Sequence, residues 1–74
     1  MNPRFRDLRE DQDLKQEQIA ELLHVSQATY SRYESGVLDI SAASLEILAE
    51  FYKTSVDYLL GLTDEKAPYP RKKV

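Results

Sequence analysis

Residues 16–36, QEQIAELLHVSQATYSRYESG, constrain this chain more than any other stretch. Their apolar positions fit two short helices joined by a tight turn. Ile19, Ala20 and Leu23 fall at i, i+1 and i+4 on the first of the two, and Val25 closes the turn. Tyr30 and Tyr33 put an apolar stripe on the second. Ser26 stands where its hydroxyl can cap that second helix by accepting from the amide near Thr29. Gly36 stands where a helix commonly stops in the left-handed conformation. With Tyr30, Tyr33 and Glu34 turned inward, the opposite face carries Gln27, Ala28, Ser31, Arg32 and Ser35. A planar amide, small residues and one guanidinium have the chemistry that reads base-pair edges.

The rest of the chain supports one small domain. Asn2 followed by Pro3 is a helix-start signal, and the first helix is expected to run to about Gln12 with Phe5 and Leu8 inward. Arg9 shares their side, a place where a charged residue needs a partner. Asp13 occupies the position of a helix-ending glycine. Lys15 sits at the N-cap of the second helix, beside a helix N-terminus suited to an anion, and is read as a phosphate contact. Ser41 is expected to cap a fourth helix over 42–52 that buries Leu45, Leu48, Ala49 and Tyr52. Ser55 is expected to cap a short fifth helix over 56–60, stopped by Gly61. The expected fold is all-α, five helices without strands, over a domain of residues 1–63. Residues 64–74 lack an apolar period, hold two prolines and are expected to form a disordered tail.

Beyond these elements the residues resemble a known family. Counted from Gln16, the helix-turn-helix of the Cro and lambda-repressor-like (XRE) phage-repressor family wants apolar side chains at the fourth, eighth, tenth, fifteenth and eighteenth places. Those places hold Ile19, Leu23, Val25, Tyr30 and Tyr33, and the small fifth place is Ala20. The likeness continues through LEILAEFY and SVDYLLG, so that it spans roughly residues 3–62. One departure is His24 in place of the usual glycine, and His is among the non-glycine residues that tolerate positive φ.

The resemblance implies a compact five-helix lambda-repressor-like domain that binds double-stranded DNA sequence-specifically as a transcriptional regulator. Its third helix would lie in the major groove. Base-reading roles fall on Gln27, Ala28, Ser31 and Arg32, and phosphate-binding roles on Gln16, Ser26 and Thr29 beside Lys15. Gln can pair bidentately with adenine and Arg with guanine, while Ala28 can touch a thymine methyl. Relatives pair the residues at the places of Arg9 and Glu34 as a buried ion pair. Relatives also form homodimers, which implies a dimer surface around Val56, Asp57, Tyr58 and Leu62. The same fold serves elsewhere as an antitoxin or other protein-interaction module, and that stands as the alternative.

Composition bounds these readings. Over 74 residues the net charge is −3, which argues against indiscriminate nucleic-acid binding. The acidic excess lies in 37–63, where Asp39, Glu46, Glu50 and Asp57 face only Lys53. The loop VLDI after Gly36 carries no cation where relatives generally place Lys or Arg, so its hold on a phosphate backbone is expected to be weak. In the last stretch Lys66, Arg71, Lys72 and Lys73 outnumber Asp64 and Glu65. There is no cysteine and His24 is the sole histidine, so no disulfide, metal or cofactor is expected. The sequence has no Gly-rich phosphate loop and no nucleophile beside a base, so no enzymatic activity or small-molecule substrate is expected. No apolar run approaches the ~18 residues of a membrane span, and a cytoplasmic protein is the expectation.

Overall fold

A computed structural model describes residues 3–67. It contains five helices: α1 (Phe5–Asp11), α2 (Gln16–Leu22), α3 (Gln27–Ser35), α4 (Ala42–Phe51) and α5 (Val56–Leu59). Among the described residues there is no strand, and no helix is long and apolar enough to cross a membrane.

Serine hydroxyls set three of the starts. Ser26, Ser41 and Ser55 have extended backbones, and their side chains accept from the amides of Thr29, Ser44 and Tyr58 at 3.1, 3.1 and 3.0 Å. Each such cap stabilises its helix by about 1 kcal/mol. The second helix opens differently. Lys15 offers no capping oxygen, and Gln18 reaches back instead, its Oε1 accepting from the Lys15 amide at 2.8 Å. That is the return half of a capping box, and it replaces part of what the missing Ser or Thr would supply.

The first helix departs from expectation. It begins at Phe5 rather than Pro3, and Asn2 lies outside the described residues. The reason is tertiary: the Arg4 amide donates to the Leu59 carbonyl at 2.8 Å, so α1 starts only once the chain has been tied to α5. Arg4 also lays its guanidinium over the Tyr58 ring, 4.2 Å from its centre, and donates to Asp64 Oδ1 and the Thr63 carbonyl, both at 2.8 Å. At 2.6 Å, the Thr54 hydroxyl donates to the Lys66 carbonyl, so residues 63–66 lie back against the helices.

All five helices stop in the same way. After α1 the Leu14 amide reaches the Arg9 carbonyl and the Asp13 amide the Glu10 carbonyl, and the equivalent crossed pair closes each of the others. This ending needs a residue of positive φ. Gly36 and Gly61 fill it at 80° and 78°, while Asp13, His24 and Lys53 adopt it at 56°, 58° and 54°. Lys53 is the one the sequence conceals. Its constraint comes from Ser55, which must already be extended to cap α5 only two residues later.

Between the helices lies one core of Phe5, Leu8, Ile19, Ala20, Leu23, Tyr30, Leu45, Leu48, Ala49, Tyr52 and Leu59. Tyr30, Leu48 and Leu59 are fully shielded. Every helix contributes, so α3 cannot shift without disturbing α1, α2 and α4.

The shared helix ending generates a stability test. A left-handed lysine costs roughly 1 kcal/mol against glycine, and that amount moves the midpoint of a domain this size by about 4–8 °C. Lys53→Gly is therefore expected to raise the thermal midpoint by about that much. Gly36→Ala is expected to lower it similarly, although nothing beyond the adjoining residues lies within 4 Å of the added methyl, because the cost is purely local backbone. Unchanged melting of both variants would mean that these turns relax without strain.

Candidate nucleic-acid interface

The site begins with a charge pair behind α3. Arg9 Nε donates to Glu34 Oε2 at 2.7 Å and Nη2 to Oε1 at 3.1 Å, a two-point contact between α1 and α3. The Arg9 side chain is 12% exposed and that of Glu34 5%. A third nitrogen, Nη1, donates to the Leu14 carbonyl at 2.9 Å, which fixes the turn leading into α2. Hence one guanidinium joins α1, the turn that follows it and α3. Burial alone would raise the Glu34 carboxyl, but hydrogen bonding from Arg9, the Tyr30 hydroxyl and Gln16 outweighs it and holds the group below its ordinary value. Arg9 is pushed further above its already high range by its hydrogen bond to Glu34.

Beneath the pair, the buried Tyr30 hydroxyl faces the Glu34 carboxylate, and the buried Tyr52 hydroxyl reaches no hydrogen-bond partner among the described residues. Burial, then the negative charge of Glu34, pushes the Tyr52 phenol up to about 12. Both rings therefore stay neutral and act as core, with Tyr33 half-buried and edge-on to Tyr30 at 6.4 Å.

From the pair a chain of amides runs outward to the surface. Gln16 Nε2 donates to Glu34 Oε1 at 3.1 Å, and Gln27 Nε2 donates to Gln16 Oε1 at 3.4 Å. Gln16 is thus half-buried and bridges the charge pair to the exposed head of α3. Sequence reasoning gave each residue a role but missed this connection, because only the crossing of α2 and α3 brings positions 11 apart into contact.

The other expected site residues divide clearly. Gln27, Ala28 and Arg32 are exposed on α3, and Ser31 is half-buried beside them. Arg32 and Lys15 form no ion pair among the described residues. Ser26 and Thr29 turn toward each other, with their hydroxyls 3.0 Å apart. Val56, Asp57 and Tyr58 are half-buried at the other end of α1, Tyr58 beneath Arg4, while Leu62 is 60% exposed. Val37 and Leu38, in the loop after α3, stand 77% and 41% exposed.

A helix-turn-helix family model matches residues 5–59. The chain belongs to the phage-repressor type of helix-turn-helix family. It is 40% identical over 70 residues to the uncharacterized HTH-type transcriptional regulator YobD of Bacillus subtilis (strain 168), covering 95% of this chain and 62% of that protein. Against the Vibrio cholerae cryptic phage CTXphi transcriptional repressor RstR it is 37% identical over 58 residues, covering 78% and 52%. A crystal structure of a transcriptional regulator from Listeria innocua superposes with a TM-score of 0.75 at 37% identity, covering 81% of this chain and 56% of that one. The chain thus spans about three-fifths, or less, of the length of these relatives.

A buried pair is costly to break because the surviving charge has no water to return to. Glu34→Ala is expected to destabilise the fold by ~3–5 kcal/mol, a large part of the ~5–15 kcal/mol that holds a domain together. Urea unfolding measures it, and a loss under about 1 kcal/mol, the scale of an exposed pair, would show that the pair is solvated. The sign with pH follows from the depressed carboxyl. As pH falls, the unfolded chain takes up this proton first, so the contribution is complete above the unfolded value near 4.5 and fades through the lower folded one. Glu34→Gln removes that titration, and its stability is expected to decline less than that of the parent chain on acidification below that value.

Proposed function

We propose that this chain binds double-stranded DNA sequence-specifically through α3 and regulates transcription by occupying its site, most simply as a repressor. The observation that carries this reading is the exposed row on α3, backed by a buried brace that fixes its direction. Gln27 in the first turn donates to Gln16, and that contact supports a role for its amide in the bidentate pair that adenine offers. Arg32 stands five residues on, roughly 140° around the helix, on the far side of Ala28 and Ser31. The two long side chains flank a stripe of small residues, which lets the helix sit deep in a major groove. Lys15, Gln16, Ser26 and Thr29 lie along the rims and are the proposed phosphate contacts. The names of the relatives support the same reading, since several are transcriptional regulators and one is a phage repressor.

Two copies on half-sites about 34 Å apart are the usual geometry for this motif. We place the contact between copies around α5, where Leu62 is the exposed apolar residue and Val56, Asp57 and Tyr58 border it.

Selection from random duplexes, followed by binding to every single-base variant of the selected site, tests the reading. Gln27→Ala and Arg32→Ala are each expected to lose ~1–3 kcal/mol and to relax preference at one position only. Lys15→Ala differs in kind: it is expected to weaken all sequences equally and reduce the salt slope by about one. Uniform loss in the first two variants, or no enriched sequence at all, would overturn base reading by α3.

A second expectation concerns the loop after Gly36. Val37, Leu38, Asp39 and Ile40 offer no cation, so few counterions are released there. The salt slope is expected to be shallower than that of a repressor with about 6–10 phosphate contacts. Leu38→Lys is expected to tighten binding to all sequences alike, and an unchanged affinity would place this loop away from the duplex.

A further inference from the structure

Beside the row on α3 lies a cleft of about 230 Å³ walled by Arg6 and Arg9 of α1, Gln16 of α2, and Ser31, Glu34 and Ser35 of α3. Gln27, Ser31 and Ser35 follow one another at intervals of four residues and therefore share one stripe of α3. The cleft runs along the lower part of that stripe, on its α1 side. Arg32 is on the other flank. We infer that this cleft seats a phosphate of the DNA backbone, with Arg6 as its charged donor. The inference rests on the reading that α3 enters the major groove.

Three observations single out Arg6. Arg9 and Glu34 line the same cleft but satisfy each other, so they add little net charge to it. The Ser35 hydroxyl donates to the Arg32 carbonyl at 3.2 Å, so its proton is already committed within α3. Among the described residues Arg6 is held by Glu10 alone, one turn away on the same helix at 3.0 Å, with side chains 70% and 54% exposed. An exposed pair of this kind contributes little to stability, and a phosphate can replace Glu10 as the partner of Arg6 at small cost.

Charge elsewhere points the same way. Arg4 is committed to Tyr58, Asp64 and the Thr63 carbonyl. The 37–40 loop offers Asp39 and no cation on its side of α3. A duplex that accepts α3 must present a phosphate wall along the α1 side as well, and Arg6 is the cation that lines that side without a buried commitment.

Binding of a selected duplex and of a scrambled one, each followed against salt, tests this. Arg6→Ala is expected to weaken both duplexes by the same factor and to lower the magnitude of the salt slope by about 0.9. Arg6→Lys restores most of the loss, because a point charge suffices. Glu10→Gln is expected to tighten both duplexes by releasing Arg6. The thermal midpoint of Arg6→Ala stays within about a degree of the parent, as expected for an exposed pair, so weakened binding cannot be read as unfolding. If Arg6→Ala leaves affinity and slope unchanged while Gln27→Ala still loses preference at one base, the cleft inference falls and base reading stands. A chain that binds neither duplex overturns both.

Discussion

The contact between Arg9 and Glu34 is the interaction on which the rest of this structure depends. A helix of nine residues cannot hold its own direction, since isolated helices of this length are marginal in water. Apolar packing through Tyr30 fixes how deep α3 sits but is tolerant of rotation. The two-point guanidinium–carboxylate contact is directional, and it comes from α1 while the same guanidinium holds the Leu14 carbonyl. Direction, depth and the entry of α2 are therefore set together. Gln16 carries that order outward, one hydrogen bond to Glu34 and one to Gln27.

Placing charge and two buried phenols in so small a core is expensive. A Leu or Met in place of the pair would be at least as stabilising. We propose that the ionic chemistry serves specificity of arrangement, because under the proposed base reading an exposed amide must be carried on a backbone that does not wander. Stability is recovered by local devices, namely three serine caps and five shared helix endings. Three of those endings still use strained residues in place of glycine.

Much of this was legible in the sequence, and the boundary between legible and hidden is physical. Periodicity located every helix because each buries one face, and Ser26, Ser41 and Ser55 marked starts because a hydroxyl there has one evident use. Arg9 on an apolar face announced a missing partner, and the family resemblance supplied Glu34. What local pattern could not show were contacts made by the crossing of distant segments. The Arg4 amide on Leu59 moved the start of α1, and the amide chain from Glu34 to Gln27 needed α2 and α3 in place. Lys53 was hidden for another reason: lysine has no preference for the left-handed region and adopts it only under the constraint of the next cap. The cleft at Arg6 involves three helices and has no signature in any one of them.

A double-mutant cycle on Arg9 and Glu34 goes most directly to the claim that the two act as one brace. Arg9→Met, Glu34→Leu and the double variant are unfolded in urea, and the coupling is the departure of the double from the sum of the singles. If the brace is real, each single loses ~3–5 kcal/mol while the double recovers most of that loss, since no charge is left stranded. Additive losses, with the double variant as unstable as both singles combined, would contradict it. Arg9 and Glu34 would then act independently, and the direction of α3 would have to be set by packing alone.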